Sequence, residues 1–178
     1  MLFIMLIAMS FALVSCMNDK YEKMTKAEFA GLLDEELFDA CGVWSWKYHF
    51  KTNPAGYYKV DDVLRNFIAI YSVDAQVLNG GFNQFYYNGY GDYGIDYAKA
   101  FEAAEMYEVA KIIKEAEEIY QAIEHTLPKM GSSTIEEISK SYENNPLNYF
   151  SSKYAERQEE SKRLILNYIK KNIGSFGD

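Results

Sequence analysis

The chain has 178 residues, of which 49% are apolar, 16% aromatic and 25% charged, and its formal net charge is −8. That length suits one domain, and the apolar share excludes wholesale disorder. Two cysteines exclude a disulfide-built scaffold, and the acidity argues against direct nucleic-acid binding, which needs lysines and arginines on phosphates.

Residues 2–14 are apolar except for Ser10, and no charged side chain occurs before Asp19. As a helix this run spans about 20 Å, short of a hydrocarbon core of about 30 Å, and it fits the apolar region of a secretory signal. It ends in Leu13-Val14-Ser15-Cys16, which resembles the bacterial lipoprotein lipobox. The resemblance implies cleavage before Cys16, whose thiol takes a diacylglyceryl group, so that residues 1–16 form a signal peptide. Stable anchoring follows from carrying at least two acyl chains. One feature departs from the pattern: only the Met1 amine is positive where lysine or arginine is usual. The location implied is the cell envelope, lipid-anchored, and the outer membrane in a Gram-negative cell, because Met17 stands where a retention aspartate would. Residues 17–24 read as a tether, and 25–178 as an all-α domain. Cys41, between Ala40 and Gly42, reads as a small buried apolar group.

Thr25 and Glu28 have the spacing of a capping box, and Phe29, Leu32, Leu33, Leu37 and Phe38 recur at helical spacing, which predicts a helix to about residue 40. The aromatic stretch 43–58 reads as a helix tail and loop. A second helix is predicted over 60–78, capped by Asp61 and Asp62 and broken by Asn79-Gly80-Gly81. Further helices are expected over 95–107 and 108–125. A short one follows from Ser133 or Thr134 to about 142, and the last covers 152–172. Asn144-Asn145-Pro146 marks a turn. With no pair of strand-like runs flanking a turn signal, the class is all-α, a single compact unit of about five or six helices.

The distinctive segment is Asn79-Gly80-Gly81-Phe82-Asn83-Gln84-Phe85-Tyr86-Tyr87-Asn88-Gly89. Phe82, Phe85 and Tyr86 lie at i, i+3 and i+4 and would enter the core from one helical turn. Gln84 and the asparagines would tie off backbone groups freed by the glycines. The run Gly80, Gly81, Phe82, Gln84, Phe85 and Asn88 resembles the signature of a bacterial all-α domain family whose named member is a DNA-mimic protein. The likeness continues through the alanine-rich segment 98–104 and into Leu166, Tyr168, Ile169 and Asn172, covering roughly residues 27–176. It implies the family's fold, with Asn79, Gly80, Gly81, Phe82, Gln84, Phe85 and Asn88 in a structural role. DNA mimicry is the family's named activity.

Motifs for catalysis are absent. Two histidines, His49 and His125, cannot build a multi-histidine metal centre, and there is no nucleophile elbow, phosphate-binding loop or paired-cysteine motif, so no enzyme activity, cofactor or metal is expected. His125, at a helix end, suits the negative pole of the dipole. The charge is concentrated: residues 92–124 hold nine acidic against three basic side chains, a net −6, against −3 over 17–91 and +1 over 125–178. Glu102, Glu105, Glu108, Glu115 and Glu118 form a candidate acidic surface, in which Lys111 and Lys114 are placed to pair with neighbouring glutamates. The leading expectation is a non-enzymatic, lipid-anchored protein that binds another protein through this surface. A second is a glycan- or small-ligand-binding lipoprotein, with Tyr86, Tyr87, Tyr90, Tyr93 and Tyr97 as flat faces beside Asn83, Asn88 and Asp92. A third is a cytoplasmic DNA mimic, if the leader is not a signal.

Overall fold

The structure is a computed structural model that describes residues 21–128, 131 and 133–177. The leader 1–16 with its Cys16, and residues 17–20 of the expected tether, lie outside the described residues. Within the tether's remainder, Tyr21 and Met24 are buried.

The described residues form α-helices and short 3-10 turns, without a strand, as expected for an all-α class. The helices are α1 (Lys26–Ala30), α2 (Asp34–Ser45), α3 (Pro54–Tyr57), α4 (Asp62–Tyr87), α5 (Tyr97–Ala103), α6 (Tyr107–Ile123), α7 (Ile135–Ser141), α8 (Leu147–Glu156) and α9 (Gln158–Lys171). Nine described helices exceed the expected five or six because two long periodic stretches are each interrupted and because α3, capped by Asn53 with Pro54 in its first turn, forms inside the stretch 43–58 expected as a helix tail and loop.

The stretch 25–40 is two helices. Thr25 and Glu28 do form the reciprocal capping box, with Glu28 Oε2 accepting from the Thr25 N–H at 2.7 Å. The helix then closes at Gly31, and Leu33 takes an extended conformation as the N-cap of α2. Asp34, Glu35 and Glu36 occupy the first turn of α2, where the positive pole of a new helix favours them. Leu33 is consequently 70% exposed rather than in the core. The same thing happens near residue 157: α8 ends there, and α9 opens with Glu159 and Glu160 in its first turn. Periodicity alone runs through both interruptions because apolar spacing resumes in phase on the far side.

At the glycine pair helical geometry breaks, as the sequence implies, and α4 is two helical runs joined at a kink. Gly80 (φ −148°, ψ 22°) and Gly81 (φ 72°, ψ −177°) separate two helical runs of α4, and the second run resumes at once. The Gly81 conformation belongs to a region that residues with a Cβ essentially do not enter.

The chain divides into two compact units: the described residues up to Ile68 with those from Ile165 onward, and Ala69–Leu164. The boundaries fall inside α4 and α9. In the first unit Phe29 packs edge-on against Trp44 (5.8 Å between centroids), and Phe176 against Phe67 (5.1 Å). Asp61 caps α4 by accepting from the Leu64 N–H at 2.8 Å, and its other oxygen accepts from Ser175 Oγ at 2.8 Å. Cys41 is buried, and burial pushes its thiol well up, as suits a small apolar filler. In the second unit α6 packs on α5 and α8. Its core holds Phe82, Phe85, Phe101 and Tyr154, each phenylalanine worth about 1.5–3 kcal/mol relative to exposure.

Candidate functional site

The second unit holds every site residue expected from the sequence except Cys16. Phe82 is 0% exposed, and Phe85 and Tyr86 are buried with it, so the i, i+3, i+4 reading of the motif holds. The amides bond one another. Asn79 Nδ2 donates to Gln84 Oε1 (2.9 Å), and Gln84 Nε2 (3.1 Å) and Asn88 Nδ2 (2.7 Å) both donate to Gln76 Oε1. The freed backbone donor, the Phe82 N–H, goes to Ser151 Oγ on α8. Asn83 joins a second amide cluster, accepting from Asn145 Nδ2 at 2.7 Å and donating to Asn148 Oδ1 at 3.3 Å.

The tyrosines expected to make an open platform mostly do not. Tyr86, Tyr90 and Tyr97 are buried. Phe85 stacks on Tyr90 (5.2 Å) and meets the edge of Tyr97 (5.0 Å), whose hydroxyl donates to the Tyr90 carbonyl. These rings are core, driven inside by apolar area that the helical spacing already directs inward. Three of the five expected rings are therefore core, while Tyr93 is 37% exposed and Tyr87 borders open space.

One ring pair does border open space. Tyr86 stacks face to face on Tyr120 of α6, with centroids 3.8 Å apart and planes within 2°. Gly91 lies against this pair: a Cβ there would stand 3.0 Å from Tyr86 Cδ1 and 3.2 Å from Tyr120 Cε1. Beside the stack is a cleft of about 280 Å³, bordered by Tyr86, Tyr87, Tyr120 and Tyr142, with Asn83 among its lining and Asp92 and Glu124 as its charged groups. Burial, then the charge of Glu117, pushes the Tyr86 hydroxyl up; burial, then Asp92 and Glu124, does the same to Tyr120. Glu117 is itself pushed up, by burial first and then by Asp96. Negative groups crowd this corner from two segments, the turn before α5 and one edge of α6.

The acidic surface expected from the sequence divides accordingly. Glu108, Glu115 and Glu118 share one edge of α6 by their spacing, and Glu102 and Glu105 are exposed at the end of α5 and the corner after it. Lys111 pairs with Glu115 on that edge at 3.9 Å, whereas Lys114 makes no ion pair with Glu117 or Glu118 among the described residues. The opposite edge carries Glu117 and Glu124, seven apart with Tyr120 between them, and faces Asp92 and Asp96. Sequence reasoning counted these four carboxylates in the total and missed that they gather at a tyrosine stack. The Glu117–Tyr120–Glu124 spacing was a local signal; the approach of Tyr86 was not. Among the described residues no group of three histidines, cysteines or carboxylates is placed to hold a metal ion.

A protein-family profile described as DMP19-like protein matches residues 59–172, which include the glycine break, the tyrosine stack and both acidic edges. The chain belongs to the DMP19-like family. This is the DNA-mimic family that the Gly80–Asn88 signature resembles. No curated protein matches the chain.

Proposed function

We propose that this DMP19-like protein acts by binding rather than by catalysis, and that its carboxylates engage a basic protein surface of the kind that grips DNA. The carrying observation is the distribution of acids on α6: both solvent edges are acidic, and the Lys111–Glu115 pair touches only one of them. Along the axis Glu115 and Glu118 are about 4.5 Å apart and Glu108 and Glu115 about 10.5 Å, a range of roughly one to three phosphate steps of about 3.4 Å, so the edge can meet the same cationic side chains. Membership of a DNA-mimic family supports the reading.

The test is binding of the full chain to an arginine- and lysine-rich DNA-binding protein over a salt series, with duplex DNA as competitor. The reading expects affinity to fall steeply with salt and duplex DNA to displace the chain. Replacing Glu108, Glu115 and Glu118 by lysine should weaken binding at least tenfold. Affinity indifferent to salt and to DNA overturns it.

Anchoring through Cys16 is a separate part of the proposal, supported by the apolar run 2–14 and its Leu13-Val14-Ser15-Cys16 ending. Among the described residues no helix is long and apolar enough to cross a membrane. Palmitate should label the wild-type chain and not Cys16→Ser; equal labelling of the two, or none of either, rejects the anchor.

A further inference from the structure

We propose that the cleft beside the Tyr86–Tyr120 stack is a guanidinium-binding pocket, and that its occupant is an arginine side chain of the protein partner. The source of the group rests on the reading above; the pocket's chemistry does not.

Size is the first argument. About 280 Å³, at the small end of ligand pockets, has room for one long side chain. Charge is the second. Asp92 and Glu124 enter the cleft from separate segments, Glu117 and Asp96 add to the field behind them, and none of these four makes an ion pair among the described residues. Phosphates and carboxylates are repelled there, and a cation is drawn in.

The walls decide which cation. Four tyrosines border the space; Tyr86 has its faces against Tyr120 and Phe82, so Tyr87, Tyr142 and the outer side of Tyr120 are the walls left for a ligand. A planar guanidinium stacks on aromatic faces, forks to two carboxylates at once and is weakly hydrated. An ammonium is a compact, strongly hydrated point charge that uses such walls less well. The cleft's rigidity fits this role. Tyr86 is buried and stacked, Asn83 is held by Asn145 and Asn148, and Asn148 Nδ2 donates to the carbonyl of Tyr142 at 2.7 Å, which ties that wall to the amide cluster. The walls are thus ordered before binding, and the exposed Asp92 and Glu124 carboxylates are the groups left to order on it.

The experiment titrates the full chain with three capped tripeptides, Gly-Arg-Gly, Gly-Lys-Gly and Gly-citrulline-Gly, and follows the tyrosine ring resonances. Citrulline keeps arginine's shape and removes its charge. The arginine peptide is expected to shift the Tyr86 and Tyr120 rings and to bind at least tenfold tighter than the citrulline peptide and severalfold tighter than the lysine peptide. Asp92→Asn with Glu124→Gln should weaken arginine binding by about tenfold. Glu35→Gln with Glu159→Gln, exposed carboxylates outside both acidic edges, should leave it unchanged. Equal binding of the citrulline peptide, unmoved Tyr86 and Tyr120 rings, or the same loss from both variant pairs overturns the pocket. The citrulline comparison uses the wild-type chain, so it stands whatever the variants' stability. Failure here with salt-sensitive, DNA-competed binding of the basic protein intact removes the pocket and leaves the acidic surface. The converse result leaves the pocket and removes the partner reading.

Discussion

The backbone N–H of Phe82 donates to Ser151 Oγ at 2.9 Å, across 69 positions of sequence, and the same hydroxyl donates to the Leu147 carbonyl at 3.0 Å. One side chain of α8 thus closes the gap opened by the glycine pair in α4. The approach requires glycine: a Cβ on Gly81 would stand 2.7 Å from Ser151 Oγ, and the φ of +72° is already one that side chains avoid.

Two variants and their combination follow from that contact. Ser151→Ala strands a buried donor and should cost about 1–2 kcal/mol. Gly81→Ala should cost about 2 kcal/mol or more, from the backbone conformation and the clash together. Because the alanine at 151 removes the clashing oxygen, the double variant should be less destabilised than the two singles summed, as urea unfolding of all four proteins would show. Strict additivity would mean that the hydroxyl and the glycine do not meet.

Tyr154 OH donates to Asp74 Oδ1 at 3.2 Å, with the tyrosine ring wedged edge-on between Phe82 (6.1 Å) and Phe101 (6.2 Å). Burial raises the Asp74 carboxyl, and the Tyr154 hydroxyl partly opposes that rise. Tyr154→Phe keeps the ring and removes the donor, so it should cost about 1–3 kcal/mol at pH 7. A carboxyl whose folded pKa is raised stabilises most when protonated and loses that contribution as pH rises through the raised value. The cost of Tyr154→Phe should therefore shrink from pH 7.5 toward pH 4.5. A cost independent of pH would rule out this pair as its cause.

His49 is buried, stacked between Trp46 (4.3 Å) and Phe50 (4.2 Å), and its Nδ1 accepts from the Lys51 N–H at 3.2 Å. Burial, then the nearby Lys51 charge, lowers its pKa to about 4. Between about pH 6.5 and 4 the unfolded chain binds a proton here that the folded chain does not, so stability falls with falling pH in that window. The contribution is about 2–3 kcal/mol. Urea midpoints from pH 7.5 to 4 should show this decline in the wild type and a smaller one in His49→Leu. Parallel curves for the two proteins would exclude His49 as its source.

What can be read locally and what cannot separate cleanly at particular residues. The capping boxes show the local side: Thr25 with Glu28, and Thr134 with Glu137, form as their three-residue spacing implies, because both partners lie within one turn. Phe82, Phe85 and Tyr86 go inward for the same reason. Gly31 and Arg157 show the other side. A helix continuing through either would keep its apolar phase, so only the choice to restart on a fresh acidic turn distinguishes them.

Helical class, the two capping boxes and the concentration of negative charge are properties of neighbours in the chain, and the sequence by itself determines them. The destination of the Phe82 N–H, the pairing of Gln76 with Gln84 and Asn88, and the meeting of Tyr86 and Tyr120 with Asp92 and Glu124 were decided by the tertiary structure. These contacts join residues as far as 69 positions apart. Hydrogen bonding and ring stacking reward whichever complementary groups packing brings within a few ångströms, and no spacing rule along one helix carries that information.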